Sequence, residues 1–510
     1  MSVLNHAAPS AALSTAALAP RPSACPGLLR IVAARDGGIC RIKLPGGALS
    51  AAQAAAIAEA SERHAASVIE VTNRANLQVR GVRAGHEAAL IEALVASGLG
   101  PAPATSSMDA AAVWSASAAD DIRNVMVSPA AGRDSSALYD TTPLTAGLLG
   151  LLQGEARFAA LSPKFALLLD GGERLARLDH PHDVWLAATP ASDGVRFVFG
   201  LAGCPPTVAN AVTNAAANAA ANATDNAAAD ATAAHAAGNG SSDAPQDPVA
   251  TGTRALAAVL PAEVVQLVRA LLHTFLDLAA ADATRMRHLL ATHSVDAVLQ
   301  RAQTYVDFPL SRDASLADWH RGAPADAALR LGAHPQRVAG TWHVGGQPPL
   351  GRLEAATLRG LAALARQHSN GTLRMTPWQS VLLPDIASEA VQAVLAELEG
   401  LGLACDPAQP LARLIACAGS TGCVKSLADT KADALRLAAR LPDGVDVHLS
   451  GCPRSCAAAH CAPYTLLAVA PGTYDLYRRD ASPDFGRCIA HRLTLEQAAD
   501  MLEQLARSPF

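Results

Sequence analysis

Hydrophobic and polar positions near the N-terminus predict strands and helices in alternation. Ile39 to Leu44 alternates between apolar and polar side chains, which is typical of a half-buried strand. Ser50 and Gln53 have the spacing of a capping box, which favours the start of a helix there. The β-branched run Val68 to Thr72 predicts a further strand. The predicted order is a strand at 39–44, a turn at 45–47, a helix at 50–64, a strand at 68–72 and a helix at about 86–97.

The same order of elements returns in the second half of the chain. The second copy is predicted to hold a strand at 338–346, a helix at 353–367, a strand at 372–376 and a helix at 388–399. Both copies end in the same tripeptide, at Gly98-Leu99-Gly100 and at Gly400-Leu401-Gly402. Such an internal repeat implies two homologous halves related by a pseudo-twofold axis.

The regions that follow the two copies also match. The matching segments are 124–152 with 415–441, 163–169 with the region around Cys452, and a helix at 262–276 with one at 495–506. Residues 285–303 are expected to be helical and to join the two halves. A site at the junction would therefore take residues from both halves.

Two stretches lack the pattern of a packed element. Residues 1–24 are largely alanine broken by serine and proline, and residues 207–250 are rich in Ala, Asn, Asp, Thr and Gly. Neither stretch has the large apolar side chains whose burial offsets the entropy lost on ordering. We expect a disordered tail at 1–24 and a disordered surface insert at 207–250.

Composition and charge exclude several classes of function. A chain of 510 residues suggests about three or four domain-sized units. The net charge of −5 and the pI near 6.3 argue against nucleic acid or an anionic membrane as the principal partner. No run of about 18 strongly apolar residues occurs, so no membrane span is expected. The sequence therefore predicts a cytoplasmic protein with reduced thiols, in which locally concentrated Arg and Lys would bind any acidic substrate.

Four cysteines form a group of their own. Cys417 and Cys423 have C-x5-C spacing, and Cys452 and Cys456 have C-x3-C spacing. Four thiolates that converge from two loops are the ligands of a [4Fe–4S] cluster. Structural zinc fits C-x5-C poorly, because zinc knuckles have shorter spacings. Ten cysteines are too few for a disulfide-stapled scaffold, and buried structural thiols are the remaining alternative.

The flanks of these cysteines predict turns between packed elements. Strands are expected at 445–450 and 464–469, and a helix at 424–441 with Leu427, Ala434, Leu435 and Leu437 on one side. Glycine and proline next to the cysteines favour loops that bring backbone amides towards an anion.

Other potential metal ligands are less specific. His448 and His460 flank the cluster cysteines and could bind a separate iron, although structural or surface histidines are the commoner alternative. The remaining six cysteines are interpreted as non-ligands: Cys25, Cys40, Cys204, Cys405, Cys461 and Cys488.

Several of these segments resemble a known family. Cys417 to Cys423 and Ser450 to Cys456 resemble the cluster motif of the nitrite and sulfite reductase haemoprotein family. Within it, Cys25 to Leu28 and Ala34 to Gly47 most resemble the precorrin-3B synthase branch. The resemblance covers most of the chain from residue 25 to 510, apart from the insert.

The resemblance implies an α+β fold with an internal duplication. Each half would consist of a ferredoxin-like half-domain and a mixed α/β catalytic domain. The implied ferredoxin-like half-domains are 25–105 and 331–408, and the implied reductase-like domains are 115–330, with the insert, and 409–510, with the cluster.

The resemblance also implies roles for three cations. Arg74 and Arg123 resemble the family's anion-binding arginines, and Lys164 resembles the first of two active-site lysines. The second lysine would fall at Ala166 and is absent. Its absence weakens the case for reduction of sulfite or nitrite, which needs a strongly cationic pocket and several protons.

The implied function is a reaction on a tetrapyrrole. The precorrin-3B synthase branch hydroxylates precorrin-3A with dioxygen and closes a lactone in aerobic cobalamin biosynthesis. The cluster would pass electrons to a mononuclear iron, while Arg74, Arg123 and Lys164 would bind substrate carboxylates. The chain has no dinucleotide fingerprint and no P-loop, so an external electron donor such as an NADH-linked reductase is expected.

Two alternatives remain at this point. One is a sirohaem-dependent sulfite or nitrite reductase, in which Cys456 would bridge cluster and haem. The other is an electron-transfer or tetrapyrrole-carrier protein that binds a cluster without turnover.

Overall fold

The computed structural model describes residues 25–101, 110–207, 254–458, 462–480 and 485–507. The predicted tail at 1–24 and all of the predicted insert except Thr207 lie outside these ranges. Within them the chain forms four five-stranded sheets, with helices packed on the sheets. No helix in the described ranges is long and apolar enough to cross a membrane.

The strands of the first half have between three and ten residues. They are β1 Val32–Ala34, β2 Gly37–Ile42, β3 Ala48–Ser50, β4 Val68–Val71, β5 Leu77–Val82, β6 Val125–Val127, β7 Leu167–Asp170, β8 His182–Ala191, β9 Gly194–Gly203 and β10 Ala257–Val259. The strands of the second half repeat this order. They are β11 Gly332–Pro335, β12 Thr341–Gly346, β13 Arg352–Glu354, β14 Thr372–Met375, β15 Val381–Ala387, β16 Leu414–Ala416, β17 Val447–Ser450, β18 Tyr464–Ala470, β19 Thr473–Arg478 and β20 Arg487–Thr494.

The described helices alternate with these strands. They are α1 Ala51–His64, α2 Glu87–Ala96, α3 Ala110–Asp121, α4 Thr142–Gly154, α5 Val264–Leu278, α6 Met286–Leu290, α7 Val295–Ala302, α8 Ala355–His368, α9 Val391–Gly400, α10 Gly419–Gly422, α11 Thr430–Ala438 and α12 Leu495–Arg507. The predicted capping box at the start of α1 is present, since the Ser50 side chain accepts a hydrogen bond from the Gln53 N–H and the Gln53 side chain accepts one from the Ser50 N–H.

The two ferredoxin-like sheets exchange a short strand. One has the order β1-β2-β5-β4-β13 and the other β11-β12-β15-β14-β3, so each sheet ends in a strand from the other half of the chain. Leu353 lies opposite Ile69 in one exchange, and Leu49 lies opposite Leu373 in the other. Helices α1 and α8 pack against each other, and both copies contribute to one hydrophobic core. Backbone pairing and a shared core therefore join the two copies.

The other two sheets, which consist of β6 to β10 and of β16 to β20, have the same topology. In the first, β6, β7 and β8 are parallel neighbours, and β9 and β10 add antiparallel strands. In the second, β16, β17 and β18 are parallel, and β19 and β20 are antiparallel. Val125 lies opposite Leu167 in one register and Leu414 lies opposite Val447 in the other. These registers make Ser128 and Cys417 equivalent positions, and the duplicated α+β fold expected from the sequence is confirmed.

The helix predicted at 424–441 is shorter than expected. Helix α11 begins at Thr430, because Asp429 accepts a hydrogen bond from the N–H of Ala432 and so acts as its N-cap. The residues before it form a turn, in which the Leu427 N–H donates to the carbonyl of Gly451 at 2.9 Å. This part of the chain is held against the cysteine loop by backbone hydrogen bonds.

The predicted buried side of this segment was also partly wrong. Leu427 and Leu435 are 50% and 51% exposed, whereas Ala434 and Leu437 are buried in the core. Leu427 precedes the helix, so the helical period that suggested its burial does not apply to it.

The single helix predicted at 285–303 is two helices. Met286–Leu290 and Val295–Ala302 are separated by a short turn. The side chain of Ser294 accepts a hydrogen bond from the Ala297 N–H at 3.2 Å and caps the second helix.

Candidate functional site

The predicted cluster cysteines lie on loops at the carboxyl ends of β16 and β17. Cys417 directly follows β16, and Cys452 follows β17 after Gly451. Because the two strands are parallel, these loops meet at one edge of the sheet. The N–H of Gly451 donates a hydrogen bond to the Cys417 Sγ at 3.3 Å. The two loops are therefore in direct contact.

Two glycines allow the loops to approach this closely. Gly419, which opens the short helix between Cys417 and Cys423, has a φ of +70°, in the region that favours glycine. A Cβ atom at Gly451 would lie 1.8 Å from the Ser426 Oγ. A side chain at position 451 would therefore push the second loop away from the turn that precedes α11.

The thiol of Cys456 is close enough to the other three to be affected by them. Partial burial, followed by the neighbouring Cys452, Cys417 and Cys423, raises the pKa of the Cys456 thiol. Mutual repulsion of this kind disfavours four thiolates without a cation among them. A cluster of iron ions would supply the missing positive charge.

Residues of the first half reach the cysteine loops. The guanidinium of Arg80 donates to the Gly422 carbonyl at 2.9 Å and forms an ion pair with Asp36 at 2.8 Å. The Asn73 side chain donates to the Cys456 carbonyl at 3.4 Å. The predicted junction between the halves is therefore present at the cysteine site.

A cleft beside the loop that contains Arg74 has an empty volume of about 300 Å³. Arg74 and Arg123, the two arginines chosen from the sequence, both line it. The other lining residues are Leu44, Asn76, Asn124, Val125, Met126, Ala166 and His182. The cleft thus lies near the amino ends of β6, β7 and β8.

A strained turn presents Arg74 to the cleft. Thr72 and Asn76 close the turn through a backbone hydrogen bond of 2.8 Å, and the Asn76 side chain accepts from the Leu44 N–H at 2.8 Å. Ala75 has a φ of +57°, which costs about 1–2 kcal/mol for a residue other than glycine. The hydrogen bonds on either side hold the backbone in this conformation.

Several other cationic side chains lie near Arg74. Burial, together with the nearby Arg285 and Arg41, lowers the pKa of Arg74 to about 10. Burial, with Arg41 and Arg74 nearby, also lowers the pKa of Lys43 to about 7 against the opposing effect of two aspartates. Among the described residues the Arg74 guanidinium makes no ion pair. An anion in the cleft would offset this repulsion between cations.

The floor of the cleft is fixed by one aspartate. Asp183 accepts hydrogen bonds from the Ala166 N–H at 2.8 Å and the Met286 N–H at 2.7 Å. Its carboxylate also pairs with Arg285 at 2.9 Å. These bonds hold the start of β7 against helix α6.

The sequence did not indicate His182 or Lys43. His182 is buried in the cleft wall, and burial, followed by His180 and Arg74, lowers its pKa well below the usual value. It is therefore neutral at pH 7. A lysine inside an otherwise alternating strand was the only available signal for Lys43, and no pattern distinguished His182 from a surface histidine.

Comparisons with known proteins show the family to which this chain belongs. The nitrite/sulfite reductase ferredoxin-like half domain matches residues 33–97 and 334–401, and the nitrite and sulphite reductase 4Fe-4S domain matches residues 118–310. A ferredoxin–nitrite reductase of Synechococcus elongatus is 30% identical over 447 residues, which cover 84% of this chain and 76% of that relative. The chain belongs to the nitrite and sulfite reductase family.

Relatives in this family have two different named activities. A precorrin-3B synthase of Sinorhizobium sp is 26% identical over 469 residues, which cover 89% of this chain and 82% of that relative. The chloroplastic ferredoxin–nitrite reductase of Zea mays is 28% identical over 439 residues, which cover 82% of this chain and 67% of the relative. These relatives are enzymes.

A solved structure supports the fold. The Mycobacterium tuberculosis NirA protein is similar with a TM-score of 0.67 and 20% identity, over 92% of this chain and 80% of that protein. At this identity the similarity concerns the fold alone.

The family's 4Fe-4S domain matches the half of the chain that lacks the four grouped cysteines. The matched residues are 118–310, whereas the cysteine loops lie between Cys417 and Cys456. A cluster bound by the four grouped cysteines would therefore lie in the second copy of the domain, outside the matched residues. Four thiols on two loops that contact each other through the Gly451 N–H and the Cys417 Sγ fit a [4Fe–4S] group.

The third cation inferred from the family lies elsewhere. Lys164 is exposed and is not among the residues that line the cleft. Its N–H donates to the Ser162 Oγ at 3.2 Å. Ala166, at the position of the family's second lysine, does line the cleft. The structure thus brings Arg74 and Arg123 together and leaves the role of Lys164 a prediction.

The described residues offer no ligand set for a mononuclear iron at the cleft. Within those ranges, a group of three His, Cys, Asp or Glu donors close enough for one ion occurs only on β19 and β20. His448 is buried within β17, with its ring 6.5 Å from that of Phe485. His460 and Cys461 lie outside the described residues.

Proposed function

We propose that this family member is a precorrin-3B synthase, which hydroxylates precorrin-3A with dioxygen and closes a lactone. The relative from Sinorhizobium with that name aligns over 89% of this chain and 82% of its own length, which supports the assignment. In the reaction one oxygen atom of dioxygen enters a ring-junction carbon and the other leaves as water, with two electrons and two protons from a donor. The carboxyl oxygen of a ring acetate then bonds to the adjacent ring carbon, where one bond of a carbon–carbon double bond is lost, and the acetate proton passes to the inserted oxygen, so that the lactone closes without release of a second water.

The observation that carries the proposal is the composition of the cleft wall. Ala166 replaces a cation with a methyl group at the position where the resemblance expects the second lysine. Arg74 and Arg123 remain, and guanidinium groups bind carboxylates through two parallel hydrogen bonds. The remaining cations therefore suit carboxylates on a large substrate better than one small, highly charged anion.

The cleft is a shallow feature, and its volume of about 300 Å³ includes space that is open to solvent. We therefore place one acetate or propionate arm of the substrate beside the arginines and the macrocycle outside the cleft. Arg74 and Arg123 would then orient the tetrapyrrole through one arm.

The chain's own residues have defined tasks in this scheme. Arg74 binds a carboxylate, and Asp183 fixes the cleft wall through Ala166 and Arg285. Cys417, Cys423, Cys452 and Cys456 would hold a [4Fe–4S] cluster, which supplies single electrons when bound. The electrons would come from an external donor, for which we propose an NADH-linked reductase.

A second candidate is reduction of nitrite or sulfite. The relatives named ferredoxin–nitrite reductase favour it, as does the concentration of cations around Arg74. Sirohaem would then be present in the purified protein.

Isotope labelling distinguishes the two candidates. Protein with an intact cluster is incubated with precorrin-3A, a reductant and ¹⁸O₂, and the product is analysed by mass spectrometry. We expect one ¹⁸O atom in the product and no product without oxygen. In parallel, reduced methyl viologen is supplied anaerobically with nitrite or sulfite. Turnover of either anion, with sirohaem in the protein and no tetrapyrrole product, would overturn the proposal.

A further inference from the structure

Three metal-binding side chains meet on the edge hairpin formed by β19 and β20. Asp475 lies on β19, and Cys488 and His491 lie on β20. Their donor atoms all lie within 4.8 Å of one another. Asp475 and Cys488 are partly buried and His491 is exposed, so an ion here would keep access to solvent.

The spacing of the donors suits a tetrahedral ion. The Cys488 Sγ lies 3.6 Å from the His491 Nδ1, and that nitrogen lies 3.2 Å from an oxygen of Asp475. Tetrahedral angles with ordinary zinc bond lengths give about 3.5 Å between sulfur and nitrogen and about 3.4 Å between nitrogen and oxygen. Both measured distances lie within about 0.2 Å of these values.

Two β-bulges bring the ligands to the same face. In a regular strand Cys488 and His491 would point to opposite faces, because they are three positions apart. The register between β19 and β20 shifts twice, between Tyr474 and Leu476 and again between Leu476 and Tyr477. These irregularities turn Cys488 and His491 towards the same face of the hairpin, whereas a regular strand would place them on opposite faces.

Backbone strain marks the same place. Arg492 has a φ of +53°, which is unfavourable for a residue with a side chain. Its N–H donates to an oxygen of Asp475 at 2.8 Å. This bond leaves the other oxygen of Asp475 facing His491. The strained backbone at Arg492 therefore helps to orient Asp475 as a potential ligand.

We propose that Asp475, Cys488 and His491 form a binding site for a zinc-like divalent ion. Thiolate, imidazole and carboxylate are all zinc ligands, and three protein ligands leave a fourth position for water or an outside group. Cys488 is thus a ligand, although the sequence gave no reason to treat it as one.

The site is separate from the cysteine loops. The order β16-β17-β18-β19-β20 places β20 at the opposite edge of the sheet from β16. The proposal therefore does not depend on the cluster or on the proposed reaction.

Zinc-edge X-ray absorption on the protein with its iron–sulfur cluster in place tests the proposal. The measurement detects zinc only, so iron does not interfere. With one equivalent of zinc added, we expect one sulfur and otherwise nitrogen and oxygen neighbours in the first shell. Zinc bound instead to the cluster loops would show several sulfur neighbours and overturn the proposal.

Variants measure the contribution of each ligand. Loss of a residue that only orients a ligand costs about 10- to 100-fold in metal affinity, so Cys488→Ser and His491→Ala should each weaken zinc binding at least about tenfold. The control His320→Ala removes an exposed histidine elsewhere and should leave zinc affinity unchanged. Equal affinity in Cys488→Ser and the unchanged protein would contradict the assignment, as would a first shell without sulfur.

Discussion

The turn after β4 and the turn after β14 have the same backbone hydrogen bonds. In the first, the Thr72 N–H donates to the Asn76 carbonyl at 2.8 Å. In the second, the Thr376 N–H donates to the Ser380 carbonyl at 2.9 Å. The duplication thus preserved the shape of this turn in both halves.

The side chains that the two turns present differ. Ala75 and Gln379 occupy the same left-handed position, with φ of +57° and +64°. The residue before each is Arg74 in one turn and Trp378 in the other. Arg74 lines a cleft, whereas the Trp378 ring is covered by the guanidinium of Arg177, 5.3 Å from the ring centre. The first turn has a cation at the cleft, and the second has an aromatic ring that is covered by protein.

The residues just before the parallel strands next to these turns also differ between the two halves. The strand registers make Asn124 equivalent to Arg413 and Ala166 equivalent to Asp446. Arg413 and Asp446 form an ion pair of 2.9 Å in the second half. The first half has an amide and a methyl group there, both facing the cleft. The ion pair of the second half therefore has no counterpart in the first half.

At the opposite ends of the sheets the roles of the halves are reversed. Cys417 is equivalent to Ser128, whose hydroxyl donates to a backbone carbonyl. In the first half a buried ion pair of 2.6 Å between Asp170 and Arg321 occupies this end. Burial and the neighbouring Asp170 raise the pKa of Glu173 to about 8. Each half therefore has an ion pair of its own at one of the two places, Asp170 with Arg321 in the first half and Arg413 with Asp446 in the second.

The largest expected effect concerns the cysteine loops. Replacing Cys452 with Ser should abolish the broad visible absorption and the iron content of the cluster, because one of four thiolate ligands is lost. Cys204→Ser changes a thiol outside these loops and should retain both signals. A full cluster in the Cys452→Ser protein would show that these loops are not the binding site.

In the first half, the stability of the equivalent end of the sheet should depend on the ion pair between Asp170 and Arg321. The side chains of Arg321 and Asp170 are only 2% and 1% exposed, so Arg321→Met leaves a buried carboxylate unpaired and should lower the free energy of unfolding by about 3–5 kcal/mol. Urea denaturation measures the change. Arg196→Met breaks a solvent-exposed pair with Asp193 and should leave the midpoint unchanged. Similar midpoints for the two variants would contradict the structural role of the buried pair.

Glu173 adds a pH dependence to this end. Its folded pKa is raised above the ordinary value of 4.5 to about 8, so between these values the folded state holds a proton that the unfolded state releases. Stability from this group is full at low pH and falls as the pH rises towards about 8. Glu173→Gln should remove that loss, and its stability relative to the unchanged protein should rise with pH in urea denaturation. Parallel pH profiles would rule out this effect.

The smallest expected effect tests the shared turn. Ala75→Val and Gln379→Val should each lower the free energy of unfolding by about 1 kcal/mol or more, because branched side chains are poorly tolerated at positive φ. Ala75→Gly and Gln379→Gly serve as controls and should be tolerated. A large loss for only one of the valine variants would show that the two turns are not equally constrained.

Much of the duplication could be predicted from the sequence, because the hydrophobic period of each element and the glycines that end it are local features that occur in both copies. The strand exchange could not, since β3 and β13 are three-residue strands that are too short to show a period. The buried pair of Asp170 and Arg321 joins residues far apart in the chain, and no local pattern relates them. The cysteines and Arg74 were found through spacing and resemblance, whereas His182 and Lys43 gained significance only from burial.

The most direct test of the comparison is the affinity of an acidic tetrapyrrole for three forms of the protein. The ligand is precorrin-3A, or uroporphyrin as a stable analogue, titrated against the unchanged protein, Arg74→Gln and Arg413→Gln. Loss of a buried, charge-assisted hydrogen bond costs about 1–3 kcal/mol, so Arg74→Gln should weaken binding by about 5- to 150-fold. Arg413→Gln, which alters the closed wall of the second half, should bind as the unchanged protein does. Equal affinities in all three forms, or a larger loss for Arg413→Gln, would contradict the claim that the cleft of the first half is the working site.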